Sequence, residues 1–157
     1  MIRSITQFFE KHIVQQATAA GPSEHQLQLA TAALLLEVSR ADYSMDNEEI
    51  QEIANAIKAT FNLGQSDTDV LLELADEQSR SATSLHGFTS LINERWPMEE
   101  KIKIIEHMWR VAYADDRLDK HERHLLRKVG GLLYIPHREF ISAKMRAKDA
   151  FRRDSRR

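Results

Sequence analysis

The sequence predicts an all-α fold, and three features of it do so. Only 5 Gly and 3 Pro interrupt 157 residues. Helix formers (Ala, Leu, Glu, Lys, Arg, Gln) dominate, while runs of the β-branched and aromatic residues that favour strands are scarce. Apolar residues recur at spacings of three and four along most of the chain, which is the period of one helix face. With 42% hydrophobic and 29% charged residues the chain has the composition of a folded globular protein. Its length fits one domain with a core that needs no disulfide or metal staple. The expected architecture is a single bundle of about seven to eight helices over residues 1–150, with a basic, frayed tail at 151–157.

The elements follow in order. Ile2, Ile5, Phe9 and Ile13 mark an amphipathic helix over 2–17 that stops before Gly21-Pro22. Ser23 and Glu24 open a second, whose stripe is Leu27, Ala30, Leu34, Val38 and Ala41. Ile50, Ile53, Ile57 and Phe61 mark a third that ends near Asn62-Leu63-Gly64. Ser66 is the expected N-cap of a fourth carrying Val70, Leu71 and Leu74. A shorter helix is expected around 83–95. Pro97 then opens a strong one through Ile102, Ile105, Trp109 and Ala112, because the first helical turn needs no donor from proline. Leu125, Leu126, Val129 and Leu132 form the next stripe, and Pro136 starts the last helix.

Two stretches repeat. ADYSMDNEE (41–49) and ADDRLDKHE (114–122) share Ala, Asp, Asp and Glu at the same four places. At the same offset of 73, Leu35 aligns with Met108, Leu36 with Trp109, Val38 with Val111 and Ile53 with Leu126. The repeat is therefore helix, acidic turn, helix, over about 25–64 and 98–137. Two such units would bury their stripes against each other about a pseudo-two-fold axis, an arrangement expected to bring the two turns together.

Each turn reads D-x-x-x-D-x-x-E. Asp46 with Glu49, and Asp119 with Glu122, have the spacing of a capping box in Asp form, so helix capping accounts for these four carboxylates without any ligand. Asp42 and Asp115 are different. Each lies at the C-terminal end of the preceding helix, where the helix dipole disfavours negative charge. Either a local bond to turn amides compensates, or a hard cation (Ca²⁺, Mg²⁺ or Mn²⁺) held by carboxylate and carbonyl oxygens does. The metal reading takes all six residues: Asp42, Asp46, Glu49, Asp115, Asp119 and Glu122. The loop is no EF-hand, since the loop glycine is missing and Ile53 and Leu126 stand where a bidentate Glu belongs.

These features resemble the tellurite-resistance TerB-like family, whose fold also occurs within a DnaJ-like membrane co-chaperone. The similarity covers about residues 25–145 and is clearest in KIKIIEHMWRVAYADDRLDKHERHLLRKVGGLLYIPHREF, residues 101–140. The resemblance implies an all-helical fold and a metal-binding surface made by the six acidic residues above. This chain departs from the family pattern at Tyr43 and Asp116, where a glycine often follows Ala-Asp.

Other chemistry is sparse. There is no Cys, which excludes disulfides, thiolate zinc sites and cysteine nucleophiles and makes a cytoplasmic setting the expectation. No apolar run approaches the roughly 18 residues of a membrane span. His121 and His124 are three apart, not the four of HExxH, and His107 reads as a surface or interface residue. No phosphate loop, nucleophile elbow or Ser/His/Asp set is present, so a non-enzyme is expected.

Net charge is −2, yet residues 42–77 hold ten Asp/Glu against Lys58, while 138–157 hold eight Lys/Arg against Glu139, Asp149 and Asp154. The basic end suits anionic lipid or an acidic partner; nucleic acid is disfavoured because the remainder of the chain is acidic. The reading is thus a non-catalytic module binding a divalent cation, in a tellurite or other stress response, with a protein partner that can be membrane-associated. The alternative is an interaction adaptor whose acidic surface docks a basic partner without metal.

Overall fold

The computed structural model describes residues 7, 10–11, 21–42, 47–78, 84–114 and 122–155, with side chains at 7, 10–11, 21–38, 51–73, 87–114 and 123–153; all that follows concerns these. They form seven helices: α1 (Glu24–Asp42), α2 (Asn47–Phe61), α3 (Gln65–Gln78), α4 (Ser84–Arg95), α5 (Met98–Ala114), α6 (Glu122–Leu132) and α7 (His137–Ser155). The helix expected over 2–17 lies outside the described residues except at Gln7, Glu10 and Lys11. Glu10 accepts from Arg95 Nη2 at 3.4 Å, which ties that segment to the end of α4.

α1 opens on a reciprocal cap. Ser23 Oγ accepts from the Gln26 N–H at 3.1 Å, and Gln26 Oε1 accepts from the Ser23 N–H at 2.6 Å, so two donors left over at a helix start are satisfied. The sequence suggests one apolar stripe on this helix; the structure buries Gln26, Leu27 and every residue from Leu29 to Val38. The reason is position. α1 is the central rod and packs against α2, α3, α4, α5 and α6. The run LQLATAALLLEV is apolar all round, the mark of a helix with no solvent face, and Ala30, Ala32 and Ala33 let neighbours approach closely.

The remaining helices bury most of the positions their spacing predicts, with Val70, Ile102 and Leu132 half-buried, and α4 adds apolar residues for which no stripe is expected. Ile53, Ile57 and Phe61 of α2, Leu71 of α3, Phe88 and Ile92 of α4, and Leu125, Leu126 and Val129 of α6 all join one core. Pro97 accepts from the Lys101 N–H at 3.2 Å, as a helix opener should. Gly64, rather than Ser66, occupies the cap position of α3, because the Thr68 N–H bonds to Gly64 O at 3.1 Å and the helix starts at Gln65. α7 continues through Ser155, five residues into the segment expected as a tail; it packs along α5 through Phe140, Ala143 and Ala147 and pairs Arg146 with Glu106. Asn93 of α4 donates to Leu132 O at the end of α6 (2.9 Å) and accepts from Lys101 Nζ of α5 (3.1 Å), so one amide fastens three helices.

The duplication extends further than the sequence reveals. All eight apolar positions aligned at offset 73 are buried. Within α2 and α6 the register becomes 72, which sets Ile53 opposite Leu125 rather than Leu126: each helix is followed by a left-handed residue, Asn62 (φ 54) and Tyr134 (φ 57). Leu63 N–H then bonds to Lys58 O at 3.2 Å, and Ile135 N–H to Gly130 O at 2.9 Å, closing the same C-cap motif twice. The next helices, α3 and α7, start at 65 and 137, and positions 65–73 and 137–145 run through one identical order of exposed, half-buried and buried residues. Each unit therefore has three helices, α1–α3 and α5–α7, with α4 between them.

Candidate acidic turns and the helix ends that carry them

The two acidic phrases fall where helices end and begin. α1 ends on Asp42 and α2 begins at Asn47, so Asp46 precedes the first helical residue and Glu49 is the third, the expected cap register. α5 ends on Ala114, one residue before Asp115, and Glu122 is the first residue of α6 as described. Of the six predicted ligands, Asp46, Asp115 and Asp119 lie outside the described residues. Asp42, Glu49 and Glu122 are described only as backbone. The described backbone thus puts Asp42 at a helix C-terminus, where the partial negative charge of the carbonyls makes a carboxylate unfavourable unless compensated.

How the helix ends face one another follows from the contacts. Glu24 starts α1 and Phe61 ends α2, and both touch His107 of α5, so α1 and α2 form an antiparallel hairpin with the first acidic turn at one end. The other, open end meets the last turns of α5: Ala59 and Thr60 share a cleft with Arg110 and Ala114. From Thr60 back to Asn47 the helix axis runs about 20 Å at 1.5 Å per residue. The described ends of the helices that lead into the two acidic phrases, Asp42 of α1 and Ala114 of α5, therefore lie at opposite ends of the hairpin, and one ion per phrase calls for no contact between them.

His107 sits at this junction, 5% exposed. Its Nε2 lies 2.8 Å from Glu24 Oε1, an ion-pair approach that leaves neither ring nitrogen with a well-aligned hydrogen bond, and its ring meets Phe61 edge-on at 5.3 Å. Burial pushes its pKa below the ordinary 6.5; the carboxylates of Glu24 and Glu106 oppose the shift and Arg110 reinforces it. Sequence reading places this histidine at a surface or interface. The structure instead buries it among three helices, and its partner Glu24 is too distant in the chain for local spacing to reveal.

A histidine with a lowered folded pKa takes up its proton in the unfolded chain first, so it contributes fully above pH 6.5, and stability falls as pH drops below that value. Urea unfolding at pH 7.5 and 5.5 should show the lower stability at 5.5, and His107→Gln should reduce the difference.

Other candidates carry less. His121 lies outside the described residues, and His124 is exposed on α6. Among the described residues no three His, Asp or Glu side chains gather as a metal-ligand set, and no described helix is long and apolar enough to cross a membrane.

Comparison with known protein families gives a match over most of the chain. The family described as "Tellurite resistance protein TerB" matches residues 28–145, which takes in most of α1, all of α2 to α6, both acidic phrases and the first half of α7. Comparison with curated proteins and with solved structures gives no significant match.

Proposed function

This chain belongs to the TerB tellurite-resistance family, and we propose that it is a non-catalytic, cytoplasmic module in which each acidic turn holds one divalent cation. The observation that carries this reading is the duplicated D-x-x-x-D-x-x-E at equivalent helix ends, with Asp42 closing α1 and Asp115 directly following α5. A carboxylate at a helix C-terminus faces the negative end of the dipole. A hard cation reverses the sign of that interaction and takes its ligands from the same carboxylates and free carbonyls. Asp46, Glu49, Asp119 and Glu122 complete the oxygen sets while serving as caps. The cation fixes each hairpin angle and so the relation of the helices in each unit, which couples ion binding in a stress response to partner association.

Calorimetric titration with Ca²⁺, Mg²⁺ and Mn²⁺ tests this. The expected result is saturable binding of two ions per chain by at least one of the three. Asp46→Asn with Asp119→Asn should weaken that binding while leaving folding nearly unchanged, because Asn caps a helix as well as Asp. Absence of any saturable heat, confirmed by unchanged amide shifts, would replace the cation reading with a metal-free adaptor whose acidic surface docks a basic partner.

A further inference from the structure

From a different part of the molecule, we infer that the groove between α6 and α7 is a docking site for an acidic peptide segment with an apolar anchor. Two adjoining hollows of ≈ 280 and ≈ 230 Å³ share Arg127, His137 and Phe140 and make one elongated groove. It is lined by Ile135, Ile141 (39% exposed) and the small exposed part of Phe140, with Trp109 buried beneath, and by Arg123, Arg127 and Lys144. Lys144 Nζ lies over the Trp109 ring at 5.1 Å. Among the described residues no carboxylate lines the groove, and Arg123 and Arg127 make no ion pair with any of them.

The duplicated scaffold supplies an internal control. At offset 72, Arg123, Arg127, His137 and Ile141 correspond to Gln51, Asn55, Gln65 and Asp69 of the first unit. There Gln51 Nε2 donates to Asn55 Oδ1 at 3.4 Å and Gln65 Nε2 donates to Asp69 Oδ1 at 2.7 Å, so these positions bond among themselves. Gln65 also accepts from Lys58 Nζ, which stands where the second unit has Gly130. The second unit differs also in Phe140, which takes the place of Thr68 and wedges against Gly130, where an added Cβ would come within 3.1 Å of its ring. The bulk of that ring is accommodated by the missing side chain, and α6 and α7 meet through this contact with an open groove beside it.

The occupant follows from the chemistry. Three cations without carboxylate partners among the described residues, spaced along two helices, ask for several negative charges in a row; the aliphatic side chains of Ile135 and Ile141 between them ask for an apolar side chain. Nucleic acid fits less well, since Trp109 and Phe140 are 1% and 8% exposed and offer bases no open ring face. A bilayer fits less well because the site is concave.

The test is fluorescence polarisation of a fluorescein-labelled peptide of glutamates flanking a central Phe-Leu pair, on the full chain. Saturable binding is expected. Arg123→Glu with Arg127→Glu, both on exposed positions, should weaken it about tenfold or more. The mirror control, Gln51→Glu with Asn55→Glu, should leave it unchanged, with circular dichroism confirming that both variants fold. An all-glutamate peptide should bind about tenfold less tightly, since it lacks the anchor. The inference is overturned if the two peptides bind alike, if the mirror control weakens binding as much, or if phosphatidylglycerol vesicles or a single-stranded oligonucleotide use the same arginines with higher affinity. None of these outcomes depends on whether the acidic turns bind a cation.

Discussion

Trp109→Ala should lower the unfolding free energy by about 3–5 kcal/mol, the usual cost of truncating a buried tryptophan, and so lower Tm by about 10 °C for a chain of this size. Trp109 is 1% exposed and lies where α5, α6 and α7 meet. Phe140 packs edge-on to it at 5.6 Å, Tyr113 stacks at 6.0 Å, and Lys144 covers its face. Tyr113 also stacks on Phe151 and Phe140 also packs on Gly130, so neither ring can collapse into the vacated space without breaking a second contact, and the cavity cost adds to the lost transfer energy. Its indole N–H is buried without an acceptor among the described residues, and Trp109→Phe removes that unsatisfied donor. The phenylalanine variant should therefore lose only about 1–2 kcal/mol, the smaller cavity cost being partly offset. Urea unfolding of both variants measures the contrast. Equal losses would mean that ring volume is not what Trp109 supplies.

The second large effect changes sign with the ion. In chelator, Asp42→Asn with Asp115→Asn should stabilise the protein by about 0.3–1 kcal/mol per site, because each change removes a negative charge from a helix C-terminal end. In cation at about a hundred times Kd, the wild type gains about 2.7 kcal/mol per site by mass action. The variant lacks most of that gain. The order of stability should thus invert between the two conditions: variant above wild type without ion, wild type above variant with it. Destabilisation in chelator would show instead that these carboxylates hold the turns by internal hydrogen bonds to nearby amides.

Much of the fold is legible in the sequence because helix signals are local. Pro97 and Pro136 set the starts of α5 and α7, Ser23 caps α1, and the three-and-four spacing names the buried faces of α2 and α6. What the sequence hides depends on neighbours. α1 reads as a half-buried helix, yet it is surrounded, and only its continuous run of apolar residues hints at that. The third helix of each unit escapes a search for matching letters, since QSDTDVLLE and HREFISAKM agree in burial position by position and hardly at all in residue type. The one-residue change of register between the turns and the C-caps blurs it further.

The site is only partly legible, for a related reason. Spacing exposes Asp42 and Asp115 as charges at the wrong end of a helix, which is a local anomaly. The approach of Glu24 to His107 is not local. Nor are the groove residues: Arg123 and Arg127 look like an ordinary solvated face until Phe140 and Ile141 of the next helix are set beside them.

The most direct test of the cation account is paramagnetic broadening of backbone amides on titration with Mn²⁺. The account predicts selective loss of signal at 41–49 and 114–122 together, reversed by Ca²⁺ or Mg²⁺ and absent from the acidic stretch Asp67–Glu73. Uniform broadening over all acidic surfaces, or no loss at either turn, would contradict it.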